Sequence, residues 1–279
     1  MAIALALFSA LVYGTSDYLG GRATRAAPVF AVTLLTQSTT AALAVVLVLA
    51  ERAPFPGGAD VGWSLGAGLM SLVGILALYE ALANGAMVVV APITAVVSAV
   101  VPVAVGVATG ERPSPVAVAG IVLAVVAVAL VSGVGGRAER PTPLPIAALA
   151  IVAGIGFGLL FVFLDRASDD SGFWPLCIGQ LASFPVIVGL VAGRRIPVAG
   201  IGRSGALAVT AGGLAIAANV SYLLATREGL LSLVAVITSM YPATTVGLAT
   251  ALDGERMTRS QVVGLVLAVV AVAMVAVGA

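Results

Sequence analysis

The stretch Ala81–Val131, carrying Ile93-Thr94, Gly110-Glu111-Arg112 and Gly120, decides the fold, because it returns at Ala225–Val275 as Ile237-Thr238, Gly254-Glu255-Arg256 and Gly264. At a constant offset of about 144 the two windows share 21 of 51 residues, with Gly85 and Gly229 also in register. Shared apolar composition does not place a charged tripeptide at the same phase of both windows, so the chain reads as two copies of one unit. The longest polar link, Arg137–Pro145, falls where the repeat puts the join. This gives a first repeat over residues 1–139 and a second over 140–279.

Composition names the solvent. Of 279 residues 61% are apolar and 9% charged, against about a quarter charged in a soluble domain. Water cannot wet such a surface, and the length accommodates about ten spans of roughly 20 apolar residues in a bilayer. The apolar runs predict helices near 3–21, 28–50, 61–83, 86–108, 115–133, 144–164, 173–193, 204–226, 230–251 and 259–278. Helix is expected because each run must satisfy its own backbone inside the membrane. The fold class is therefore an all-α integral membrane protein of ten transmembrane helices in two five-helix repeats. Five is odd, so the second repeat enters from the opposite side, an inverted pair of the kind secondary transporters use. Met1 runs straight into apolar sequence with no basic flank, which reads as a first span rather than a cleaved signal.

Several chemistries drop out. Every basic residue is Arg, so a P-loop ATPase, which needs a phosphate-binding Lys, is excluded. Histidine is absent, and His-type zinc sites, His-dependent triads and His proton relays go with it. The single Cys177 cannot form an internal disulfide and reads as a small apolar helix residue. No catalytic residue, metal or cofactor is expected. A net charge of +1 singles out no partner. The partners expected are a small-molecule substrate and membrane lipids, with no nucleic acid, in a monomer.

Certain segments are familiar. Leu11–Gly20, Ala91-Pro92-Ile93-Thr94 leading to Gly110-Glu111-Arg112, and Tyr241-Pro242-Ala243-Thr244-Thr245-Val246 leading to Gly254–Gly264 resemble the drug/metabolite transporter superfamily, in its ten-helix EamA-type members. The resemblance spans both repeats, and its motifs speak to fold more than to cargo. One departure is that Ser98 stands where the second repeat has Pro242, so a helix break there is expected to differ between the halves.

Orientation sets two arguments against each other. Loops on the Met1 side carry Arg52, Arg112, Arg166 and Arg227, and the opposite side carries the other nine Arg residues. The positive-inside rule puts that richer side, and so neither terminus, in the cytoplasm. The family resemblance implies the reverse. The Arg count is the reading adopted, in the cell (inner or plasma) membrane.

Ionisable groups within spans cost about 2.5–3.5 kcal/mol and are functional candidates by default. Asp17 in the first helix and Glu80 near the end of the third fall toward the same membrane face, where they could share a proton or hold a cationic substrate. The plainer reading pairs Asp17 with Arg22 or Arg25 and lets Glu80 reach water past Asn84-Gly85. Gln37 and Gln180, midway along the second and seventh helices and close to the repeat offset, offer twinned amides for substrate recognition or for bonding helix to helix. Tyr79, Asn219, Ser221 and Tyr222 add donors and aromatic surface. The resemblance implies that Tyr13, Thr94, Ser98, Thr238 and Tyr241 lie on helices bordering a central cavity. Tyr18 reads as an interfacial anchor. Glu111-Arg112 and Glu255-Arg256, at helix ends on opposite faces, are assigned a structural or gating role, the carboxylates satisfying nearby amides and the Arg side chains snorkelling to head groups.

These observations lead to a secondary or facilitative transporter, an exporter of small metabolites, amino acids or drug-like compounds, working by alternating access. Scarce buried charge favours a neutral, zwitterionic or amphipathic cargo over a multiply charged anion and leaves proton coupling open. The alternatives are a lipid-carrier flippase on the same scaffold and, further off, a membrane-embedded enzyme, which would need a convergent nucleophile and base.

Overall fold

The structure is a computed structural model that describes residues 1–108, 114–131, 143–228, 234, 237–238 and 240–278. The α-helices with described bounds are α1 (Ala2–Thr24), α2 (Val29–Glu51), α3 (Gly58–Asn84), α4 (Met87–Ala108), α5 (Pro115–Val131), α6 (Leu144–Asp165), α7 (Trp174–Gly193), α8 (Gly202–Glu228), α9 (Tyr241–Leu252) and α10 (Arg259–Gly278), and Val234, Ile237 and Thr238 are helical as well. A single 3-10 turn, Asp169–Ser171, precedes α7. Six of the helices, α1, α2, α3, α6, α7 and α8, are long and apolar enough to cross a bilayer. α3 and α8 reach 27 residues each, longer at both ends than the apolar runs suggested. The expected join between repeats, the pair Glu111-Arg112 and the expected start of the ninth span near 230 all lie outside the described residues.

The distribution of side chains is inverted relative to a water-soluble protein. Ser9, Thr33, Ser64, Thr94, Ser183 and Thr245 are completely buried, whereas Leu7, Val46, Val122, Leu181 and Val266 are each more than half exposed. Hydrocarbon outside and polar groups inside is the arrangement a bilayer rewards. Many hydroxyls are satisfied within their own helix, as where Thr15 and Thr39 donate to the carbonyls of Leu11 and Leu35 at 2.8 and 3.0 Å.

The two halves interleave. The most extensive helix pairings, α5 with α10, α1 with α8 and α3 with α6, each join one half to the other. Advancing every helix by five converts α1·α8 into α6·α3, α3·α7 into α8·α2 and α4·α6 into α9·α1, and all of these pairings occur. The crossings use glycines at the repeat offset. A Cβ on Gly14 of α1 would stand 2.6 Å from the Thr244 Cβ of α9, and one on Gly158 of α6 would stand 2.5 Å from the Val101 Cβ of α4. Any side chain at either position would push the helices apart.

Candidate functional site

α1 carries one polar stripe. Ser9, Tyr13, Ser16 or Asp17, and Gly20 recur every three or four residues and so share a face. That face meets α8. The Ser9 hydroxyl donates to the Ala218 carbonyl at 2.9 Å, the Ser16 hydroxyl to that of Ala211 at 2.8 Å, and the Tyr13 hydroxyl to Asn219 Oδ1 at 2.8 Å. Asn219 is oriented for this by its own amide, which donates to the Ala215 carbonyl at 2.8 Å. On the neighbouring side, Thr245 of α9 donates to the Gly14 carbonyl at 3.0 Å.

Asp17 sits at the end of this stripe. It is 8% exposed, and among the described residues its carboxylate forms no ion pair. Tyr13, Tyr79 and Tyr241 all lie within electrostatic reach of it, and Tyr222 is close to Tyr13. Three of the chain's five tyrosines, from α1, α3 and α9, therefore lie near one buried carboxylate, with Tyr222 of α8 beside Tyr13. The Tyr13 and Tyr241 rings are 6.4 Å apart, centroid to centroid. The Tyr79 ring lies on the Cα of Gly20, where a Cβ would collide with it. The hydroxyls of Tyr79 and Tyr241 are buried without a hydrogen-bond partner, although Thr36 and Ser98 lie alongside them. Thr238 Oγ1 is also unpartnered. Buried polar atoms in this condition are uncommon.

The remaining candidates separate from this cluster. Glu80 is hydrogen-bonded to Asn84 at 3.1 Å at the exposed end of α3, and no bond links it to Asp17 among the described residues. Gln37 donates to Ser183 Oγ at 3.1 Å, and Ser183 in turn reaches Gln180, so the twinned amides face one another across the α2·α7 seam. Thr94 spends its hydroxyl on the carbonyls of Val90 and Ala150, and Ser98 on that of Ala95. Ser9, Ser16 and Thr245 are seam residues that the sequence reading did not single out. The three-to-four spacing along α1 was the available signal for the first two.

Arg22 and Arg25 are engaged elsewhere. Arg22 lies 3.3 Å from Asp253, and Arg25 lies 3.4 Å from Asp253 and 2.6 Å from Glu255. Gly254, with φ +68°, turns the chain between the two carboxylates, a backbone conformation that glycine adopts without strain. The second Glu255 oxygen accepts from the Val88 amide at 3.1 Å, in the first turn of α4, where a carboxylate complements the helix dipole. The second Gly-Glu-Arg motif thus ties α1 and α4 of the first half to the α9–α10 loop of the second. Arg256 is exposed. Tyr18 is buried in this lock rather than at the lipid interface, accepting from Arg22 at 2.9 Å and donating to Asp253 at 3.1 Å.

A bundle with an apolar exterior and a polar, partly unsatisfied seam between two interleaved halves is a multi-pass membrane protein of the transporter kind. The chain belongs to the EamA-like transporter family, whose model matches residues 1–133 and again 144–277, once in each half. A solved structure described as "Crystal structure of protein" shares the fold, with a TM-score of 0.60 and 19% identity over 97% of this chain and 94% of that one. No curated protein matches the sequence at a significant level.

Proposed function

We propose that the chain is a secondary or facilitative transporter, an exporter of small metabolites, amino acids or drug-like compounds in the cell membrane. In this reading ten spans form two inverted repeats, divided near residue 140, and alternating access proceeds by rocking one half against the other. The observation that carries it is Asp17, buried without a counter-ion and surrounded by tyrosines drawn from both halves, two of them with unpartnered hydroxyls. A solute entering that cluster would meet groups whose hydrogen bonds are not yet made, so binding would not have to break an existing network. Asp17 is also the residue through which a proton could be coupled to the solute. The lock of Arg22, Arg25, Asp253 and Glu255 closes one end of the route and must open during the cycle. The test is solute counterflow in proteoliposomes, with and without a pH gradient, for the intact chain and for Asp17→Asn. The reading expects saturable exchange that the substitution removes, and the absence of exchange for every solute class would sink it.

One observation favours a second reading. A shallow apolar crevice lies between α4, α9 and α10, lined by Pro92, Val96, Met240, Pro242, Leu265 and Val269, and its lining is of the kind an acyl chain would lie against. A lipid-carrier flippase would use it, and in vesicles of fluorescent lipid the protein would then speed the loss of inner-leaflet label to an external quencher.

A further inference from the structure

Asp17 raises a problem of charge balance that the surrounding hydrogen bonds do not solve. An ionised carboxylate in a low-dielectric interior needs a counter-charge or a proton. The chain has no Lys and no His. The two Arg residues that share α1 with Asp17, Arg22 and Arg25, are held by Asp253 and Glu255 at 3.3 and 2.6 Å. Glu80, the acidic residue next to Tyr79 on α3, is bonded to Asn84 at 3.1 Å at the exposed end of that helix. The polar side chains within electrostatic reach of Asp17 are Tyr13, Tyr79 and Tyr241, a residue type whose ring and hydroxyl oxygen can both attract positive charge. Tyr13 has committed its proton to Asn219 at 2.8 Å, which leaves its oxygen free to accept.

Resting on the transport reading, we propose that the solute held at this site is a monovalent organic cation: an alkyl- or aralkylammonium whose nitrogen sits at the Asp17 carboxylate, with Tyr13, Tyr79 and Tyr241 around it. The carboxylate supplies the counter-charge, the ring faces supply cation–π attraction, and burial strengthens both by excluding water. A zwitterion would bring a second carboxylate next to Asp17, where the cations of the same helix, Arg22 and Arg25, are already held by Asp253 and Glu255. The second half does not duplicate the site. Phe157 and Phe161 occupy the positions 144 residues after Tyr13 and Asp17, and the Phe161 ring packs on Tyr222 with centroids 5.2 Å apart. One ammonium per chain follows.

The experiment is isothermal titration of the full-length protein in detergent with phenethylamine, L-phenylalanine and 2-phenylethanol, which share a ring and differ in the head group. Phenethylamine should bind once per chain and at least about tenfold more tightly than either of the others. Asp17→Asn should remove that margin, and Asp17→Glu should keep part of it. Phenethylamine binding the intact protein no better than 2-phenylethanol would overturn the proposal, and that comparison needs no variant. Equal binding of L-phenylalanine would also overturn it, in favour of a zwitterion, as would an Asp17→Asn protein that unfolds normally and retains the margin. If the amine fails to bind while proteoliposomes still exchange another solute, the cationic cargo falls and transport stands. Amine binding at Asp17 without exchange of any solute would have the opposite meaning.

Discussion

α1 against α8 and α6 against α3 are one crossing made twice, and the two seams are built from different chemistry. In the first, Ser9, Tyr13 and Ser16 bond across to Ala218, Asn219 and Ala211. In the second, the Phe157 ring fills the space over Gly74, where a Cβ would stand 2.8 Å from it, and Phe163 packs against Trp63 with centroids 5.8 Å apart. Gene duplication accounts for the shared helix order and the glycine crossings at Gly14 and Gly158. The copies differ at a few positions, Tyr13 and Asp17 standing where the other copy has Phe157 and Phe161, so that one seam is polar with a carboxylate no cation pairs and the other is an aromatic packing surface. The asymmetry teaches that in a repeated scaffold the site belongs to the positions where the copies differ, and the fold to those where they agree.

That contrast can be broken at its strongest point first. Asp17→Asn should reduce proteoliposome exchange by about a hundredfold while leaving the unfolding midpoint level or higher, because a neutral amide of the same shape replaces a buried carboxyl group that no cation pairs. Full activity in that variant would erase the functional difference between the seams. Next come the shared crossings. Gly14→Val and Gly158→Val should each destabilise by about 3 kcal/mol in a denaturant titration, and by similar amounts, since each forces a side chain into a neighbouring helix. A cost at Gly14 alone would show that the two crossings are not equivalent. Tyr13→Phe, which makes this position resemble its counterpart Phe157, should cost about 1 kcal/mol for the bond to Asn219. Smallest is Glu255→Gln, about 0.5–1 kcal/mol, with a deficit that shrinks as salt is added because the Arg25 partner is partly exposed.

Much of this was legible in the sequence, for reasons particular residues make clear. The 144-residue echo of Gly110-Glu111-Arg112 in Gly254-Glu255-Arg256 announced the duplication, because a charged motif in an apolar chain stands out against its background. Asp17 stood out for the same reason, as an ionisable group inside a span. Its surroundings did not. The plain expectation that Arg22 or Arg25 would neutralise it rested on their nearness along α1, yet Arg22 lies about 140° round the helix from Asp17, and both Arg side chains found Asp253 and Glu255 on a loop more than 200 residues later. Gln37 and Gln180 were matched by the repeat offset, but it took the α2·α7 seam to bring them to opposite sides of Ser183.

The sequence by itself determined the solvent, the helical class and the twofold repetition. Each of these follows from local composition, from backbone that must satisfy itself within a span, or from comparing the chain with itself. Only the tertiary structure decided which polar groups would find partners. Pairing depends on which helix faces lie within hydrogen-bonding distance, and that is set by close helix packing at Gly14 and Gly158 rather than by separation along the chain. Asp17 stays unpaired because the crossings turn it toward tyrosines and leave its nearest cations to the far loop.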